Sequence, residues 1–368
     1  MPVKPLPSKP NLEHLKYQAK DLLKGHAARS AGVAQRIREF HPRFVGATDD
    51  EIFAAHLRLS DAQLVIARES GFPSWSRLKR HIQEPTLSDQ LNLPHHERIE
   101  DPTFRRGVEL LDAGDVAGLR AHLRQHPNLA YQRVSFEGGN YFSNPTLLEF
   151  VAENPVRRGT LPPNIVQVTK VILDAGVEPA ALNETLALVC SGRVSRECGA
   201  QLPLVDILCD HGADPDSAAQ RAVVHGEFEA VNALIQRGAR VTLPVAAALG
   251  RTDHARRLIP GADSENRHRA LALASQFGHV EIVRALLDTG EAPSRYNPPG
   301  FHSHSTPLHQ AALAGHEDVV RFLVERGANL DMKDTLWQGT PADWARHAEK
   351  SAIEGFLRSK EKQSQKLE

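Results

Sequence analysis

The chain has 368 residues, 41% of them apolar, 24% charged and 5% aromatic, which suits a folded protein with few large side chains. Its formal net charge of −1 is unevenly spread: residues 1–83 hold 14 Lys and Arg against 8 Asp and Glu, or +6, and the remainder holds 30 against 37, or −7. No stretch approaches the roughly 18 apolar residues of a membrane helix and MPVKPLPSKP lacks the apolar run of a signal peptide, so no membrane contact and a cytoplasmic location are expected.

Residues 1–10 read as a flexible N-terminus, and residues 11–84 as a small helical module. NLEHLKYQAKDLLKG predicts an amphipathic helix ending near Gly25, and GVAQRIREFHP a second stopping at Pro42. LSDAQLVIARESG predicts a third, capped by Ser60 and ended by Gly71, and PSWSRLKRHI a fourth capped by Ser74. The last two, residues 60–83, have the small Ala67, the Gly71 turn and the basic second helix of a helix-turn-helix that could contact DNA. Pro73 and Trp75 stand where a recognition helix would begin and no dimerisation element follows. A helical cap for the array described next is therefore the preferred reading, and nucleic acid is the least expected partner. The opposite charges of the two parts suit mutual attraction better than a nucleic-acid arm.

Residues 85–101 read as a linker, residues 102–358 as a repeat array and residues 359–368 as a charged flexible tail. The array shows itself by its punctuation. DAGVEP, DHGADPD, QRGARV, PGADS, DTGEAP and ERGANLD each follow an apolar run of helical period, and QHPNLA is a degenerate earlier copy. Gly176, Gly212, Gly238, Gly261, Gly290 and Gly327 fit the left-handed position just past a helix. A second glycine, at Gly192, Gly226, Gly250, Gly278 and Gly315, precedes each of these helices. Two short helices with a glycine turn between them therefore recur about eight times. The three cysteines, Cys190, Cys198 and Cys209, are odd in number with no CxxC spacing. They fit a reducing compartment, with Cys190 and Cys209 on apolar helix faces.

In TPLHQAALAGHEDVVRFLVERGANLD, Thr306 is a helix cap and Pro307 sits where its missing N–H is not needed. Ala311 and Ala312 permit close helix packing, and Val319, Val320, Leu323 and Val324 form the apolar stripe of the second helix. Thr340-Pro341 repeats the cap 34 residues later. This segment resembles the ankyrin repeat nearly position for position. GHVEIVRALLDTG and DILCDHGADPD match well, and the units near 104–130 and 244–262 weakly. The N-terminal module also resembles the helical region ahead of the repeats in some bacterial ankyrin proteins. The resemblance implies an all-α solenoid that binds partners on a concave surface, with no chemistry of its own. It assigns His309, His279 and His316 to hydrogen bonds within and between repeats, leaving His302 and His304 unexplained.

An ankyrin unit has a finger-like hairpin of about twelve or thirteen residues between its terminal glycine and the next cap. Here Gly327 to Thr340 is 13 residues and Gly290 to Thr306 is 16, whereas Gly176 to Thr185 is 9 and Gly212 to Ala218 and Gly238 to Pro244 are 6 each. Pro127 to Thr146 is 19. The array thus has long fingers at both ends and almost none in its middle. PVRRGTLPPN and RVSRECGAQLP enlarge the turns between paired helices on the opposite edge. The long fingers gather the scarce aromatics: Phe136, Glu137, Asn140, Tyr141 and Phe142 in the first, Tyr296, Phe301, His302 and His304 in the penultimate, Asp334, Trp337 and Gln338 in the last. Exposed Tyr and Trp suit recognition, since they offer large contact areas with few rotors to freeze.

Helices stack about 8–10 Å apart, so the first and penultimate fingers, five repeats apart, are expected roughly 40–50 Å from each other. The last two fingers can share a ligand. His302 and His304 have the i, i+2 spacing of strand-borne metal ligands, with His309 or Asp334 as a third. But HxH alone is a weak signal, and neither a metal nor any other cofactor is expected. No nucleophile elbow, P-loop, GxGxxG or HExxH occurs. The expected role is a monomeric, non-catalytic scaffold for a protein or peptide. Its anchors would be Tyr141, Phe142, Tyr296 and Trp337, and its polar contacts Glu137, Asn140, His302, His304, Asp334 and Gln338. The alternatives are an unusual enzyme or a small-ligand or metal site using the long fingers around His302, His304, Asp334 and Trp337, with His302, His304, Asp334 and Glu137 as its catalytic candidates, or DNA binding through residues 60–83.

Overall fold

A computed structural model describes residues 6–7, 11–83, 93–137 and 141–364. Among these residues there are 21 α-helices and no β-strand, only an isolated antiparallel bridge between Arg133 and Thr146. The chain divides into two compact units, Met1–Leu93 and Pro94–Glu368.

In the first unit, α1 (Leu12–Ala27), α2 (Val33–Phe40), α3 (Asp49–Ala54), α4 (Leu59–Glu69) and α5 (Trp75–Gln83) close around Leu22, Ile37, Ile52, Ile66 and Leu78. Asn11 caps α1 through its side chain, and Ser74 caps α5 by accepting the Arg77 N–H at 3.3 Å. Two details differ from the expectations. Helix α4 begins one residue before Ser60, where Asp61 accepts the Arg58 N–H at 2.8 Å. Helix α3 went unforeseen, although Thr48 and Glu51 form the reciprocal capping box that TDDE encodes.

The second unit contains eight helix pairs. They are α6 (Pro102–Asp112) with α7 (Val116–Gln125), the 3-10 turn Leu148–Ala152 with α8 (Ile165–Asp174), and α9 (Pro179–Cys190) with α11 (Gln201–Asp210), the last two separated by the short α10 (Arg193–Glu197). Then follow α12 (Pro215–Val224) with α13 (Phe228–Gln236), α14 (Leu243–Ala248) with α15 (Thr252–Leu258), α16 (Ser264–Gln276) with α17 (Val280–Leu287), α18 (Pro307–Ala314) with α19 (Glu317–Glu325), and α20 (Pro341–His347) with α21 (Ser351–Ser364). From α9 to α20, each first helix packs on the first helix of the next pair, which makes this unit an all-α solenoid. No pair could bury its apolar face alone, so stacking makes the core. Buried side chains run continuously from Ile99 to Leu357 in two adjoining clusters.

The histidines of the glycine turns carry the stacking from pair to pair. Gly250 and Gly278 take positive φ, 65° and 82°, and a Cβ there would stand 2.6 Å from the rings of His279 and His316. Those rings belong to the next pair, and their Nε2 atoms hydrogen-bond back to the carbonyls of Ala248 and Gln276, each at 3.0 Å. His309 is likewise spent, on Thr306 Oγ1 at 2.7 Å and the Gly339 carbonyl at 3.1 Å.

Several boundaries depart from the sequence reading. Gly261 ends a 3-10 turn, Ile259–Gly261, without positive φ. Thr185 lies inside α9 with its hydroxyl on the Ala181 carbonyl at 2.7 Å, and is no cap. Residues 94–101, read as linker, belong to the second unit, where His95 packs its ring at 4.9 Å from Phe136 and 5.3 Å from Phe142. Burial pushes its pKa down to about 4. Helix α21 runs through Ser364, past the point where a tail was expected.

Candidate functional site

The last two fingers and the first helices beneath them enclose a cavity of about 840 Å3. Its finger wall is made of His302, His304, Trp337 and Gln338, and its floor of Gln310 and Leu313 on α18 and Trp344 on α20. Arg346 and His347 close the far side. Trp337 is 70% exposed and Leu313 37%, so the lining offers apolar surface to a ligand. Trp337 meets both His304, at 5.3 Å, and Trp344, at 5.9 Å, edge to face, and His304 lies tilted 5.7 Å from Trp344. Such arrangements fix ring orientation without needing a ligand.

The buried Asp334 holds this wall together. Its Oδ1 accepts the N–H groups of Leu336 at 2.9 Å and Trp337 at 2.6 Å, and its Oδ2 accepts the Gly339 N–H at 2.7 Å and the Trp344 indole N–H at 3.0 Å. Burial alone would raise its pKa, but these donors outweigh burial and hold it at about 2. The expectation that Asp334 contacts a partner, a metal or a substrate is therefore corrected. It is 0% exposed, and its acceptors are engaged within the loop. Tyr296 also serves the frame, its hydroxyl donating to the Lys333 carbonyl at 2.6 Å and tying one finger to the next. The Gln338 amide donates to the Asp334 carbonyl at 3.2 Å.

His302 and His304 stand with ring centres 6.1 Å apart. Burial lowers the His302 pKa, as do the neighbouring His304 and His225, against a hydrogen bond to the backbone of Val224. Both third ligands considered for a metal are committed elsewhere, His309 to its helix cap and Asp334 to its loop. Among the described residues no three His, Cys, Asp or Glu side chains converge on a metal position, and neither histidine forms an ion pair with a carboxylate. The other carboxylate of the wall, Asp343, is also occupied. It accepts the N–H and hydroxyl of Thr340, both at 2.9 Å, and pairs with Arg346 at 3.0 Å and Arg358 at 2.6 Å.

The first finger lies apart from the cavity. Glu137 is exposed, and Arg98 donates to its carbonyl at 2.5 Å. Asn140 lies outside the described residues. Tyr141 is 60% exposed, with its hydroxyl donating to Asn154 at 2.7 Å. Phe142, expected as an anchor, is 3% exposed and packs 5.2 Å from Phe150 in the core, so it offers no contact surface.

The penultimate finger does not stand over its own repeat. It lies back across the first-helix face, with Gly300 beside the Gln220 amide, His302 against the backbone of Val224 and Phe301 1% exposed beneath the Arg269 guanidinium, 5.5 Å away. The penultimate finger thus reaches α12, over the middle pairs that have no long fingers of their own.

A sequence model of ankyrin repeats in three copies matches residues 243–334, the stretch that supplies the penultimate finger and leads into the last. An ankyrin repeat-containing protein of Schizosaccharomyces pombe is 34% identical over 62 residues, 17% of this chain and 28% of that protein. The E3 ubiquitin-protein ligase hecd-1 of Caenorhabditis elegans is 44% identical over 61 residues, 17% of this chain and 2% of the ligase. Cyclin-dependent kinase inhibitor 2A of Monodelphis domestica is 31% identical over 120 residues, 32% of this chain and 68% of the inhibitor. The chain thus spans under a third of the length of the first two relatives and about two thirds of the third. Among the described residues no helix is long and apolar enough to cross a membrane. With stacked helix pairs, Thr-Pro caps, glycine-histidine turns and these matches, the chain belongs to the ankyrin-repeat family.

Proposed function

We propose that this protein is a non-catalytic scaffold that binds a polypeptide on the finger-side face of its repeats, with the cavity of the last two pairs as the anchoring point. The observation that carries this reading is Trp337, which is 70% exposed at the mouth of a preformed cavity and backed by Trp344, His304 and Leu313. An indole fixed in place with most of its surface free gives a large contact area at small entropic cost. The site's chemistry supports binding over turnover, because both carboxylates near the histidines are locked in structural hydrogen bonds.

The test uses peptides selected from a random display library on the immobilised protein. Trp337→Ala should weaken binding of the selected peptides by about 2 kcal/mol, or roughly 30-fold, by calorimetry. The melting temperature should not move, because so little of the ring is buried. Unchanged affinity would remove Trp337, and the cavity with it, from the binding face.

A further inference from the structure

We infer that the cavity receives the C-terminal end of a partner chain, with the terminal carboxylate on the histidine wall and the last side chain, apolar or aromatic, against Trp337, Trp344 and Leu313. The inference rests on the peptide-binding reading above and goes beyond it by naming the part of the partner that binds.

Two independent observations lead here. The first is that the groove is blocked at one end. A chain lying along the first-helix face from α20 across α18 meets the penultimate finger, whose residues 300–302 lie over α12 and α16. Phe301 is 1% exposed and sealed under Arg269, so this crossing is packed in place. An extended segment that continued would have to leave the first-helix face and climb over this crossing. A chain terminus needs no exit, and the cavity lies immediately before the obstruction.

The second observation is the imbalance of hydrogen-bonding groups. The carboxylates nearest the cavity, Asp334 and Asp343, accept four donor groups each, two of those on Asp343 coming from Thr340. Donors, in contrast, remain free. Among the described residues the Trp337 indole N–H and the rings of His304 and His347 make no hydrogen bond within the protein, and the Arg346 side chain is 63% exposed beyond its single pairing. A site with spare donors, an adjacent guanidinium and no spare carboxylate favours a ligand that brings negative charge. A basic or neutral chain end would leave the donors unanswered. A carboxylate next to an apolar side chain answers both the donors and the exposed indole.

Two random heptapeptide libraries separate the outcomes, one displayed with a free C-terminus and one with its C-terminus fused to the carrier. The inference expects enrichment from the free-ended library, and a selected sequence that binds at least about 30-fold tighter as the acid than as the C-terminal amide. In His304→Ala, with an unchanged melting temperature, that ratio should fall to a few-fold. Equal affinity of acid and amide, or enrichment from the fused library alone, would overturn the inference and leave the peptide-binding reading standing. Peptides whose affinity depends on an internal Asp or Glu would assign the donors to a side chain and overturn it in the same way. Enrichment from neither library would remove both.

Discussion

Replacing Arg157 with leucine is expected to lower the stability of the repeat unit by about 3–5 kcal/mol, since it leaves buried carboxylates without their cation. Arg157 lies in the enlarged turn between the Leu148–Ala152 turn and α8, with its side chain 1% exposed. It bridges Asp112, 6% exposed, at 2.8 Å and Glu153, 0% exposed, at 2.9 Å, and lies 4.9 Å over the Phe150 ring. Glu153 cannot relax toward solvent, because its other oxygen accepts the backbone N–H groups of Arg157, Arg158 and Gly159. Arg157→Lys keeps the charge but loses the two-pronged contact with Asp112, and should cost about half as much. Urea unfolding followed by circular dichroism measures both. A loss below about 1 kcal/mol for the leucine variant would mean that water enters and solvates the carboxylates. In that case the ion network would not be what holds this turn.

That turn also marks where local pattern stops predicting structure. The pairs at 306–325 and 340–364 were legible because their determinants are local: a Thr cap, Pro at the first helical position, a period of 3.6 and glycine at the turn. The first helix of the second pair was not legible. Thr146 reads as a cap, and Glu149 does fold back to its N–H, yet only a 3-10 turn forms, ended at Glu153 in the left-handed region with Pro155 barring continuation. Similarly, α16 extends over 13 residues and takes up chain that would otherwise form a finger.

The site shows the same division. His302, His304, Trp337 and Gln338 were found because aromatic and polar residues in long loops point to recognition. Trp344 was missed because a tryptophan on an amphipathic helix reads as core, and at 8% exposure it nearly is. Phe142 and Asp334 were misjudged, and the burial of Phe301 was not foreseen, for a common reason. A loop's composition does not reveal which of its side chains a distant helix will cover, and each of these is buried by residues far away in sequence or by the fold of the loop itself.

Asp334→Ala should cost about 3–5 kcal/mol, because four donors lose their one fully buried acceptor together. In a stacked array the loss should concentrate in the last pairs. The suitable measurement is amide hydrogen exchange at Leu323 and Ala345 compared with Leu234, with acceleration at the first two alone. Uniform protection would mean that the finger holds without the carboxylate. The pH dependence has a definite sign. The Asp334 pKa is held at about 2, below its ordinary 3.8, so its contribution is fully present above the ordinary value and is lost as pH falls toward 2. Asp334→Asn keeps one acceptor oxygen and should abolish that acid-dependent component while costing less than alanine at neutral pH. The same variants separate positioning from contact in the cavity. Asp334 touches no ligand, yet it orients both the Trp337 backbone and the Trp344 indole. Its removal should therefore weaken peptide binding while Trp337 is still present, and a ligand affinity unaffected by Asp334→Ala would mean that the wall is held by ring packing alone.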